Sequence, residues 1–165
     1  NTISTGSVDI ELTGDFNPIT AQNLNPGDWS EWQRVEVDNN SNGPVKLYFY
    51  VTDLNGAACG DTMLELATGP LAGDEMAYHF YNSNIGLING SNNRVEVTGY
   101  VFNPSMPAGE TAVVHMRAGL GLGATAMNSD CDWTGVFVAD QAVEDTEEPP
   151  TSFPVSFPEE MEENV

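Results

Sequence analysis

The chain has 165 residues, 40% of them hydrophobic, which suits a single domain able to bury a substantial core. Asp and Glu number 25 against 4 Lys and Arg, a formal net charge of −21. So few cations exclude a nucleic-acid binder, whose affinity comes from neutralising phosphates, and disfavour docking on anionic lipid. Nor does any apolar run approach the roughly 18–20 residues of a membrane-spanning helix.

The first element in chain order is Val8-Asp9-Ile10-Glu11-Leu12, whose alternation predicts a half-buried strand with Val8, Ile10 and Leu12 on one face. Nothing charged-then-apolar follows Asn1, so any export signal is expected to have been removed already. A turn at Asn25-Pro26-Gly27-Asp28 comes next, then Trp29 and Trp32. Alternation sets Trp29 on the Val35 face and Trp32 on the opposite one, which sends at least one indole into the core.

Val35 and Val37 mark the following strand, and Ser41-Asn42-Gly43-Pro44 its turn. Val45, Leu47, Phe49 and Val51 then form an apolar face opposite Lys46, Tyr48 and Tyr50. After Asn55-Gly56, the stretch from Asp61 to Ala67 comes nearest to helical periodicity, but it is short. Further strands are predicted at Met76, Tyr78 and Phe80, at Val95 and Val97, at Ala112, Val114 and Met116, and at Val136 and Val138. Asn103-Pro104 and Pro107-Ala108-Gly109 punctuate them. About eight strands with such turns predict an all-β fold, an antiparallel β-sandwich of jelly-roll type over residues 1–143.

Residues 144–165 read EDTEEPPTSFPVSFPEEMEENV, an acidic, proline-containing tail of a kind that usually stays disordered. Phe153, Val155 and Phe157 nevertheless alternate, so an extended backbone sets all three on one face. Pro154 and Pro158 fall on the other face and remove two amide donors, which suits an edge or clamp strand.

Cys59 and Cys131 stand without a CxxC or a neighbouring histidine. A single disulfide in an extracellular protein fits them better than zinc or redox chemistry, with two buried thiols as the alternative. Asn39 and Asn89 head glycosylation triplets. His79 and His115 lie on predicted strands, and HExxH, GxSxG and phosphate-loop patterns are all missing, so no enzyme is expected. Gly119-Leu120-Gly121-Leu122-Gly123 reads as a flexible turn rather than a nucleotide loop. Calcium is the one cofactor with candidates, Asp53, Asn55 and Asp61 in one short loop, with Asp130 and Asp132 beside Cys131. Trp29 and Trp32 could instead serve a carbohydrate-binding or adhesin module.

Three stretches carry a resemblance. They are Ser4-Thr5-Gly6-Ser7 with the strand to Leu12, Leu24-Asn25-Pro26-Gly27-Asp28, and Val35-Glu36-Val37-Asp38-Asn39-Asn40-Ser41-Asn42-Gly43. With Asp132-Trp133-Thr134-Gly135-Val136-Phe137-Val138-Ala139-Asp140-Gln141 as closing strand, the chain resembles the TasA/camelysin family. The resemblance implies a secreted jelly-roll subunit, extracellular or at the cell surface. Such subunits polymerise into pilus-like or biofilm-matrix fibres, each lending a strand to its neighbour. Itself, other matrix components and glycans are the partners it allows.

Family members that lend an N-terminal strand carry a longer arm before the Thr-Gly motif than Asn1 to Ser4. Either the first strand (Val8, Ile10, Leu12) or the tail (Phe153, Val155, Phe157) is then the lent one, and the tail is favoured.

Overall fold

The computed structural model describes residues 2–5, 9–13, 24–70, 76–98, 102, 104–125 and 130–142, with backbone alone at 2–5, 13, 69–70 and 76–78. The predicted alternation becomes literal in two strands, β3 (Gln33–Asn39) and β4 (Val45–Asn55). Val35 and Val37 of β3, and Val45, Leu47, Phe49 and Val51 of β4, are fully buried, while the residues between them stay partly exposed. Period-2 patterning of this kind commits one face of each strand to a common core.

The other strands are β1 (Thr2–Thr5), β2 (Ile10–Thr13), β5 (Thr62–Pro70), β6 (Met76–Asn84), β7 (Val95–Glu96), β8 (Thr111–Leu120) and β9 (Asp132–Gln141). Among the described residues they form two sheets, ordered β1-β9-β4-β7 and β2-β3-β8-β5-β6. All neighbours pair antiparallel except β1, which runs parallel to β9 from Thr2 opposite Thr134 to Thr5 opposite Phe137. Chain neighbours repeatedly cross from one sheet to the other, as in a jelly roll. The protein is an all-β sandwich.

The core lies between the sheets. Phe49 and Phe137, register partners on β4 and β9, meet with ring centroids 4.9 Å apart at its centre. Leu64, Leu66, Val114 and Met116 cover them from the second sheet. Trp133 is also core. Each such side chain contributes roughly 1.5–3 kcal/mol by leaving water.

Some expectations need correction. The stretch from Asp61 to Ala67, to which the alternation assigns no strand, carries one: Cys59–Asp61 makes a 3-10 turn, and β5 begins at Thr62. The strand at Val95 and Val97 shrinks to Val95–Glu96. In β6 the register steps from Leu66 opposite Tyr81 to Ala67 opposite His79, leaving Phe80 as an extra, bulged residue. Phe80 and Tyr81 consequently both pack against the core, and the alternation read through Phe80 stops there.

The cysteines are joined, Cys59 to Cys131, with Cα atoms 4.8 Å apart. The bridge ties the 3-10 turn after β4 to the foot of β9. The approach requires Gly56, at φ 135°, because a Cβ there would stand 2.0 Å from the Asp130 carbonyl oxygen.

Burial raises the Tyr81 phenol above its ordinary value, with the Ser83 side chain pulling partly the other way. Because the folded state holds this proton more tightly, its contribution is complete below the unfolded phenol value of 10.0 and is lost as pH rises above it. Tyr81→Phe should therefore flatten the alkaline decline in melting temperature. Parallel melts of wild type and variant at about pH 9 and about pH 11 check this. An unchanged slope would refute it.

Candidate functional site

The outer face of the five-stranded sheet carries a cluster that alternation alone could not assemble. Leu64 and Leu66 point inward from β5, so Glu65 between them points outward, opposite Arg117 of β8. Glu65 is nevertheless only 5% exposed. Arg117 donates to its Oε1 through Nε at 2.9 Å, and His79 of β6 meets Oε2 through Nδ1. Nδ1 of His79 and the Arg117 guanidinium thus take one oxygen each of the same carboxylate. A buried carboxylate is tolerable only with partners of this kind.

Above this network the Arg117 guanidinium lies between two indoles, 4.5 Å from the ring centroids of both Trp29 and Trp32. Trp32 also meets His79 edge-on at 6.0 Å. Both tryptophans therefore share one face, outside the core and half-buried, against the expectation of opposite faces. The reason is local. Trp29 is not on β3: it bridges to Gly119 of β8, where a Cβ would stand 2.7 Å from the indole, so glycine is needed for the ring to lie down. The turn between the strands resets the parity that counting assumes.

The predicted interface residues divide. Ile10 is buried in the sandwich's own core and Leu12 packs against it, so neither is turned outward for a neighbour. Val8, Phe153, Val155 and Phe157 lie outside the described residues, as does the tail 144–165.

Asn39 is not a glycan acceptor in the folded chain. Its side chain is fully buried, and Nδ2 donates to the carbonyls of Gly43, Met106 and Pro107 at 3.1, 3.0 and 3.1 Å. Asn89 is exposed. Of the calcium candidates, Asp53 is exposed in the irregular part of β4 at φ 58°, beside exposed Asn55. Asp61 accepts the Thr125 amide. Among the described residues, no group of three or more His, Cys, Asp or Glu side chains is arranged to hold a metal ion.

The sheet edges form the second candidate. The described edge strands are β1 and β7 in one sheet and β2 and β6 in the other. Edge strands offer unpaired backbone donors and acceptors. β1 illustrates what such a border can take, since a four-residue segment adds to β9 in parallel register. Sequence reasoning missed both β1 and β5: one is too short for a pattern, and the other is buried on both faces from Leu64 to Thr68. Comparison with protein-family models, with curated proteins and with solved structures finds no match.

Proposed function

We propose that the chain is the structural subunit of an extracellular filament, a homopolymer in which neighbouring sandwiches exchange a strand. The observation that carries this reading is the set of edge strands that border the two sheets among the described residues, around a well-filled core. A sandwich of this kind can take a further strand through main-chain bonds without repacking. The Cys59–Cys131 disulfide suits an oxidising exterior. The resemblance to the TasA/camelysin family supports the same reading. Ile10 and Leu12 pack into the sandwich's own core, which favours the tail over the first predicted strand as the lent segment. Because donor and acceptor surfaces differ, such a contact propagates as an open fibre.

At a net charge of −21, assembly should need salt or divalent cations. Calcium near Asp53, Asn55 and Asp61 belongs to this proposal as a screening or bridging ion. Electron microscopy of the purified protein in rising salt tests it. Regular fibres are expected from the full chain, and none after deletion of residues 149–165. Persistent monomers under every ionic condition would sink the reading.

A second reading, a glycan-binding surface module, draws on the Trp29–Arg117–Trp32 stack. Each indole already spends one face on the guanidinium, so a sugar ring would have to stack on an outward face. Glycan-array binding that disappears in Trp32→Ala, with the fold retained, would favour it over the filament.

A further inference from the structure

Two glycosylation triplets run through the chain, at Asn39 and at Asn89; Asn103 also has a serine two places on, but Pro104 between them excludes it. The fold treats the two in opposite ways. An N-linked glycan is joined to the side-chain amide nitrogen, and at Asn39 that nitrogen is buried and donates to three carbonyls. Asn89 is exposed, and so is Ser91, whose hydroxyl completes the triplet.

The way the segment is held explains the contrast. Asn89 lies between two 3-10 turns, Ile85–Ile88 and Ser91–Asn93. Ile85 and Ile88 enter the core, and the Asn84 side chain caps the first turn by accepting the Gly86 amide at 2.8 Å. Past Ile88 burial stops: Asn89, Ser91, Asn92 and Asn93 all face water. The main chain there is nevertheless pinned. Asn89 bridges to Val51 of β4, just beyond the pairing of Phe49 with β7, and the Gly90 amide donates to the Val51 carbonyl at 2.8 Å. Asn93 donates through its side chain to the Asn89 carbonyl at 2.8 Å and through its amide to the Gly90 carbonyl at 3.0 Å. Gly90 sits at φ 95°, a backbone that a side chain would strain. Main-chain bonds thus fix the turn, while among the described residues neither the Asn89 nor the Ser91 side chain enters a hydrogen bond.

The surroundings suit a glycan as well. From Met76 to Val95 the chain carries no Asp or Glu, although it has 25 in all. Leu87, two residues before Asn89, is 64% exposed, one of two large hydrophobic side chains left in water among the described residues. A sugar ring has an apolar face, and one hung from Asn89 gives this leucine a cover.

We infer that Asn89 is the acceptor for an N-linked oligosaccharide and that Asn39 is not. In the coupling, Nδ2 of Asn89 attacks C1 of a sugar carried on a polyprenyl phosphate or diphosphate. The C–N bond forms, the C1–O bond to phosphate breaks, the phosphate leaves with the electron pair, and Nδ2 gives up one proton. The inference shares with the filament reading only its extracellular setting, and asks nothing of the contact between subunits.

The full chain, purified from the cells that produce it, is reduced and digested with trypsin, and its peptides are weighed by mass spectrometry. Asn39 falls in peptide 35–46 and Asn89 in peptide 47–94. Sugar mass increments are expected on 47–94, with 35–46 at its bare mass. They should be lost in Asn89→Gln and in Ser91→Ala, and kept in Ser91→Thr. Both positions face water, so the variants should match the wild type in circular dichroism and melting temperature, which separates a lost acceptor from a lost fold.

A bare 47–94 peptide in the wild type would overturn the inference, as would a glycan on 35–46 or increments that survive Asn89→Gln. Glycosylated protein that forms no fibres in any salt would remove the filament reading and leave this acceptor in place. Fibres built from bare subunits would do the reverse.

Discussion

Asn39→Ala is expected to destabilise the sandwich by about 3 kcal/mol, far more than a strand-end polar residue normally commands. The side chain closes β3, where Nδ2 ties the carbonyls of Gly43, Met106 and Pro107 together and Oδ1 accepts the Ser41 amide at 2.9 Å. It therefore joins the β3–β4 turn to the segment entering β8, and all four partners lose a bond when it is removed. The Met106 and Pro107 carbonyls keep the Val45 and Glu110 amides, so the loss falls chiefly on the Gly43 carbonyl and the Ser41 amide, at about 1–3 kcal/mol for each group left unpaired. Asn39→Asp should be worse than alanine at neutral pH, because a carboxylate would face three carbonyl oxygens. Urea melts of both variants decide the matter. A loss under about 1 kcal/mol for alanine would mean that solvent replaces these bonds freely.

Replacing both Cys59 and Cys131 with alanine should cost about 4 kcal/mol, by releasing a loop with a sequence separation of 72 in the unfolded chain. For a domain this size that corresponds to a fall in melting temperature on the order of 10 °C. The thermal scan of the wild type with and without reductant should show the same difference. If reduction leaves the transition in place, the disulfide only decorates a site already held by the Gly56–Asp130 approach and the Ala58–Asp130 hydrogen bond.

The sandwich was legible in the sequence wherever one face of a strand meets water. β3, β4 and β8 obey that condition, and Val35, Val37, Val45 to Val51 and Ala112 to Met116 fall in the core as the alternation predicts. β5 does not obey it. Its outer face is covered by Arg117 and His79, so Leu64 to Thr68 form one continuous buried run, Glu65 included, and the pattern that marks a strand is erased.

The same cause hid the Glu65–Arg117–His79 network. Its members come from three strands, and only the register of β5 against β8 and β6 brings them together. The tryptophan pair was misjudged because residue counting was carried through a turn. Asn39 matched a glycosylation triplet, yet the packing that buries it is made by Met106 and Pro107, 67 and 68 residues away. The disulfide, in contrast, needed only the absence of competing ligands to be anticipated.

The parallel pairing of β1 with β9 has a mechanical consequence. Thr2 and Ala142 leave the sandwich at opposite ends, so tension applied between them slides β1 lengthwise along β9 instead of peeling it away. All the bonds from Thr2 opposite Thr134 to Thr5 opposite Phe137 then carry the load at once, as do those binding β9 to β4. The covalent anchor at Cys131 stops the foot of β9 from following the pull. A sandwich pulled between these two points would resist stretching in proportion to that shear joint, and would yield first where β1 slips.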